Sequence, residues 1–155
     1  MGTQGDPRPC SIANALEVVG EKWSLLTLRE VFFGVRRFDQ IAMNTGASRD
    51  LLTLRLNKLV NAGVLKKVKY NDRPVRYEYH LTKAGHDLQD VLLTLMAWGD
   101  KHVTQGRAPT VWMHSCGKRF SPRLTCDECS GAAEPETLTL WPRSPSVKAV
   151  EKRVS

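Results

Sequence analysis

The sequence predicts a mainly α-helical chain that is interrupted once by a β-hairpin and followed by a small ribbon-like tail. Three observations carry that expectation: leucine-rich stripes at helical spacing up to residue 63, a change to β-prone runs between Val64 and Leu81, and a concentration of cysteine, histidine and proline after residue 105. With 155 residues, of which 25% are charged and 41% apolar, the composition is that of a globular domain with a core of its own and not of a disordered chain.

The elements follow in order. Residues 1–9 hold two prolines and two glycines with little that is apolar, and read as a loose arm. Ser11 offers an N-cap, Ile12, Leu16 and Val19 fall on one helical face, and Gly20 supplies a stop. Trp23, Leu26, Leu28, Val31 and Phe32 mark a second, more apolar helix ending at Gly34. Residues 38–43 give barely two turns with Phe38, Ile41 and Ala42 inward, and Thr45-Gly46 makes a turn. Ser48 caps the next helix, in which Leu52, Leu56 and Leu59 repeat at i, i+4, i+7 before Gly63 breaks it.

A short helix, a tight turn and a longer helix are the pattern of a helix-turn-helix. The β-prone runs 64–70 and 76–81, separated by the turn formers of 71–75, then predict a hairpin placed as a wing. Thr82 is expected to cap one long helix running to about Val103, with Leu88, Val91, Leu92, Leu95, Met96 and Trp98 on its apolar side. The organisation is therefore a flexible arm (1–9), a winged helix-turn-helix domain (10–104), a Cys/His-containing tail (105–141) with β-prone pieces such as Thr137 to Trp141, and a frayed end (142–155).

The net charge of +7 favours an anionic partner only if it is concentrated, and it is: between Ser48 and Tyr79 eight Lys/Arg stand against three acids. With the leucines of the Ser48 helix turned inward, Ser48, Arg49, Thr53, Arg55, Asn57 and Lys58 are left for its outer and flanking surfaces. Arg49 and Thr53 suit base edges of double-stranded DNA, while Arg55 and Lys58 suit phosphates. Ser48 divides between capping and a phosphate contact. On the hairpin, Arg73 at the tip, flanked by Lys67, Lys69 and Arg76 on the strands, extends the positive surface. The competing reading of that helix is a solvated face with ordinary surface charges.

The long helix presents more apolar surface than a small domain needs. If Leu92, Leu95, Met96 and Trp98, together with Ile12 and Leu16 of the first helix, meet a second copy, two recognition helices are held about 34–36 Å apart, one turn of DNA. The alternative is that they cover the same chain's first helix.

No stretch approaches the roughly 20 apolar residues of a membrane helix, and the N-terminus lacks the apolar run of a signal peptide, so a cytoplasmic protein is expected. Enzyme chemistry finds no foothold: there is no carboxylate pair, nucleophile elbow, phosphate loop or His-x-Glu, and His80, His86 and His102 are scattered. In the tail, His114-x-Cys116 and Cys126-x-x-Cys129 supply the ligand types and number for a structural zinc ion, although one residue between His114 and Cys116 is a tight spacing. A disulfide or plain thiols are the alternatives. A winged protein-interaction module, or a regulator switched by metal or oxidant through these cysteines, remain the competing functional classes.

Taken together, Cys10, Gly20-x-Lys22-Trp23, Arg37-Phe38, Leu52-x-x-x-Leu56-x-x-Leu59, Gly63-Val64-Leu65, Pro74, Glu78-Tyr79-x-Leu81-Thr82, Gly85 and Trp98-Gly99 resemble the HxlR-type winged helix-turn-helix regulators, relatives of the MarR group, over about Cys10 to Val103. The resemblance implies a homodimer joined through its first and last helices that binds inverted-repeat operators and regulates, chiefly represses, nearby genes. It also implies that Cys10 stands where some members sense oxidants, the other reading being a small buried anchor at a helix start. Two departures are visible: Ala47 where Ile is usual, and Tyr77-Glu78-Tyr79 where Val-Glu-Tyr is usual.

Overall fold

The computed structural model describes residues 9–139. The chain divides into a larger unit, Asn14–Pro122, and a smaller one made of the segments on either side of it. In order the elements are α1 (Ser11–Val19), α2 (Lys22–Phe32), α3 (Phe38–Thr45), α4 (Arg49–Asn61), β1 (Leu65–Asp72), β2 (Val75–Leu81), α5 (Lys83–Asp87), α6 (Gln89–His102) and a single 3₁₀ turn, Pro135–Thr137.

The core of the larger unit is built by α2, α3 and α4 with the base of the hairpin: Leu28, Ile41, Leu52, Leu56, Leu59 and Leu65 are all closed off from solvent. Each such leucine or isoleucine contributes roughly 1.5–3 kcal/mol by leaving water. A buried carboxylate ties two of the helices. Glu30 of α2 accepts from Arg29 Nε at 2.9 Å and from Asn44 Nδ2 of α3 at 2.7 Å, so its charge is both paired and hydrogen-bonded.

Helix α4 starts at Ser48, whose Oγ accepts from the Leu51 N–H at 3.3 Å. It ends in a Schellman pair, Val64 N–H to the Leu59 carbonyl (2.9 Å) and Gly63 N–H to the Val60 carbonyl (3.0 Å). Gly63 sits at φ +71°, the left-handed conformation that a side chain resists.

The hairpin is tighter than the turn formers suggested. Asn71 and Asp72 extend β1, Val75 begins β2, and Asp72 pairs with Val75, leaving only Arg73 and Pro74, joined by a cis peptide, to reverse the chain. A register step at Tyr70 bends the ribbon. Arg37 adds a bridge to Glu78, and the Tyr79 N–H bonds to the Arg36 carbonyl at 2.9 Å, so the segment before α3 fastens the wing at its edge.

The one long helix expected after Thr82 is two. Thr82 caps α5, its Oγ1 accepting from the Gly85 N–H at 3.2 Å and donating to the Gly63 and Val64 carbonyls. Gly85 lies so close to the chain leaving α4 that a Cβ there would collide with the Val64 carbonyl oxygen. The helix closes with an i to i−3 bond from Leu88 N–H to the Gly85 carbonyl, and α6 restarts from Leu88, whose side chain packs on the core. Tertiary docking of Leu88 thus breaks a run that local propensity would have continued.

After α6 the larger unit ends in a short hairpin with a Met113–Arg119 bridge, in which Trp112 packs its ring 5.7 Å from that of Phe33. The tail expected as one segment from residue 105 is therefore shared between the two units. In the smaller unit a Thr125–Ala132 bridge closes a loop over Cys126 to Gly131. Thr137, expected in a β-prone piece, belongs to the 3₁₀ turn opened by Pro135, while Leu140, Trp141 and the 142–155 end lie outside the described residues, as does most of the 1–9 arm.

Candidate nucleic-acid interface

The exposed side of α4 carries Arg49, Thr53 and Asn57, one turn apart in succession, and Lys58 is half-buried beside them. Thr53 Oγ1 donates to the Arg49 carbonyl at 2.8 Å, which fixes its rotamer. Arg49 rests over the Phe38 ring at 4.8 Å and pairs with Asp39 at 2.7 Å, with both charged groups mostly in solvent. An exposed pair of this kind contributes at most about 1 kcal/mol. Asp39 thus holds the guanidinium in place without committing it.

The wing lies alongside. Asn57 Oδ1 accepts from Lys67 Nζ at 3.2 Å, joining α4 to β1, and Lys67 also faces the Tyr77 and Tyr79 rings. Lys69 is paired with Asp72 at 2.6 Å, which reduces its effective charge, whereas Arg73 and Arg76 are exposed on the turn and β2. Between the wing and the start of α3 and α4 runs an open groove of about 610 Å³, lined by Arg37, Gln40, Arg49 and Arg76 together with Tyr70 and Tyr77. A cationic, aromatic-walled groove beside an exposed helix face offers phosphate partners on one side and base-edge partners on the other.

Arg55 departs from the sequence expectation. Its side chain is only 18% exposed and its guanidinium pairs with Glu21, at the N-cap of α2, at 3.2 Å. Three residues before Lys58 and one before the buried Leu56, it lies on the flank that turns toward α2, and the pair fixes α4 to that helix instead of reaching phosphate. Arg37 joins the groove from the segment before α3, a position that helix and strand periodicity do not mark. It stacks over Tyr70 at 4.7 Å and bonds to Glu78 at 3.4 Å, which orients it along the groove. The Arg36-Arg37 doublet just before α3 was the signal for it.

Of the apolar residues expected at a dimer face, Ile12, Leu16, Leu95 and Trp98 are exposed, Trp98 at 58%. Leu92 and Met96 are half-buried, and Leu92 packs against its own chain's core. Cys10 is half-buried just ahead of α1. In the tail, Cys116, Cys126 and Cys129 are exposed; His114 Nδ1 accepts from the Cys116 N–H at 3.3 Å, and among the described residues no group of three or more His, Cys, Asp or Glu is arranged to hold a metal ion.

A helix-turn-helix with a wing pinned beside its second helix, and cations facing outward from both, defines a DNA-binding transcription regulator. Residues 18–107 match the HxlR-like helix-turn-helix family, and the chain belongs to that family. It is 44% identical over 141 residues to the HTH-type transcriptional regulator Rv3095 of Mycobacterium tuberculosis, covering 90% of this chain and 89% of that one. Among solved structures it is similar to the transcription factor PA1374 of Pseudomonas aeruginosa (33% identity, TM-score 0.62, 94% of this chain and all of that one). The fold is also that of the transcription factor PA1607 (24% identity, TM-score 0.76, 87% and 96%). No helix among the described residues is long and apolar enough to cross a membrane.

Proposed function

We propose that the chain is a homodimeric repressor that lays α4 of each copy into successive major grooves of an inverted-repeat operator, with Arg49 and Thr53 reading base edges. Ser48, Asn57 and Lys58 flank that contact, and Arg37, Arg73 and Arg76 engage phosphates through the groove and the wing. The observation that carries this reading is the shared outward face of α4 and the hairpin, joined by the Asn57–Lys67 hydrogen bond. Dimerisation is supported by α1, exposed at Ile12 and Leu16, and by Leu95 and Trp98 of α6. Leu95 also borders an apolar groove of about 210 Å³, walled by Leu26, Phe33, Leu93, Leu95 and Met96. Repression follows if the occupied operator overlaps the promoter.

The test is a salt titration of binding to the DNA upstream of the chain's own gene and to a random duplex. Log affinity for the specific site falls linearly with log salt, and Arg73→Ala lowers that slope by about one while weakening all sequences alike. Arg49→Ala instead relaxes preference at particular base pairs. Equal, weak binding of both duplexes at low salt overturns the proposal.

A further inference from the structure

Asp39 is out of place on electrostatic grounds. Among the described residues it is the one acid lining the groove between the wing and the start of α3 and α4, whose other charged walls are Arg37, Arg49 and Arg76. A carboxylate there repels phosphate and so lowers affinity for any duplex, whatever its sequence. It is the acid in the first turn of α3, a favourable place, but a weak one for a side chain that is 73% exposed.

What Asp39 does hold is Arg49. Arg49 Nη1 donates to Asp39 Oδ1 at 2.7 Å, and the Phe38 ring, the neighbour of Asp39 in the chain, lies 4.8 Å from the same guanidinium. A carboxylate at one nitrogen and an aromatic ring beside the group restrict both the plane of the guanidinium and its rotation within that plane. With Nη1 engaged, Nε and Nη2 have no hydrogen-bond partner among the described residues. Their N–H groups are two parallel donors along one rigid edge. Such an edge matches two adjacent acceptors. In the major groove only guanine presents them, at O6 and N7; adenine and cytosine show an amino group, and thymine a methyl beside its single acceptor.

We infer that Asp39 is a specificity-determining residue, which positions Arg49 to read a guanine and gives up affinity for DNA in general. The inference rests on the reading above in which Arg49 faces a base edge. Asp39 acts through Arg49: it removes the alternative in which a loose arginine swings to the nearest phosphate.

The test begins with the full-length chain selecting duplexes from a random-sequence pool. The selected consensus, its single-base-pair variants and an unselected duplex are then titrated with wild type, Arg49→Ala, Asp39→Ala, Asp39→Asn and the double alanine variant. Wild type should prefer guanine at the base pair where Arg49→Ala loses discrimination, by about 5- to 150-fold, the range of one bidentate contact. Asp39→Ala should lose several-fold of that preference at the same base pair, yet bind the unselected duplex at least as tightly as wild type. In the Arg49→Ala background it should leave discrimination there unchanged. Asp39→Asn, which keeps an acceptor oxygen without the charge, should retain part of the preference. Unaltered discrimination in Asp39→Ala, an equal loss in the Arg49→Ala background, a uniform loss on all duplexes, or a base other than guanine at the Arg49 position overturns the inference and leaves DNA binding standing. A wild type that enriches no sequence overturns the DNA-binding reading itself, and the inference with it.

Discussion

Replacing Arg55 by alanine separates the two roles that this residue could have. Its guanidinium lies 3.2 Å from Glu21, and two unit charges at that distance attract by about 5 kcal/mol at an effective dielectric of 20 and by only about 1 in water. Glu21 is half exposed, so the pair sits near the lower figure, with a coupling of about 1 kcal/mol expected from a double-mutant cycle with Glu21→Ala. Alanine also removes the buried methylenes of the arginine stem, each worth about 0.8 kcal/mol. Against this, it relieves Arg55 Nε, which is buried with no hydrogen-bond partner among the described residues. The net loss should be about 1–2 kcal/mol by urea denaturation. The salt slope of DNA binding, measured at a temperature where both proteins are folded, should stay unchanged. A slope reduced by about one with unaltered stability would return Arg55 to the phosphate-binding surface and refute the structural assignment.

Other perturbations test other parts of the fold. Gly85→Ala forces a Cβ against the Val64 carbonyl and should cost about 1–3 kcal/mol in chemical denaturation; a neutral effect would show that α5 is free to move off the wing. Leu95→Glu combined with Leu16→Glu places charge on the exposed apolar faces of α6 and α1 and should convert a dimer to a monomer in light scattering, whereas an unchanged mass places the interface elsewhere. Burial raises the Tyr79 hydroxyl above its ordinary pKa of about 10. The folded value being the higher, its stabilising contribution is complete below about pH 10 and is lost as pH rises through the folded value, so the melting temperature should fall more steeply above pH 10 than that of Tyr79→Phe. Identical alkaline profiles would exclude Tyr79 as the source.

Much of the candidate interface's geometry is legible in the sequence because helix periodicity and charge are local properties. The stripe Leu52, Leu56, Leu59 places α4's buried face, and once that face is known Arg49, Thr53 and Asn57 must be outside. Ser48 and Gly63 bound the helix through capping chemistry that needs no tertiary partner. Arg37 escaped because its role depends on Tyr70 and Glu78, more than thirty residues away in the chain. Arg55 sits at the border of the polar face, where the presence of Glu21 turns its guanidinium toward α2, a partner that local spacing does not reveal.

The hairpin shows the same division. Composition alone placed a turn between residues 71 and 75, but the pairing of Asp72 with Val75 is set by strand register. The helix after Thr82 is the larger lesson. Its apolar periodicity is continuous, and nothing within residues 83–103 compels a break. The break at Leu88 coincides with two tertiary contacts, Gly85 lying against the Val64 backbone and Leu88 and Leu92 packed on the core. The sequence by itself determined the helix-turn-helix, the wing and the sign of their charge, since spacing, capping and charge are written residue by residue. Which cations stay exposed, and where the last helix is interrupted, are decided only by tertiary packing, because both depend on partners brought together by the fold.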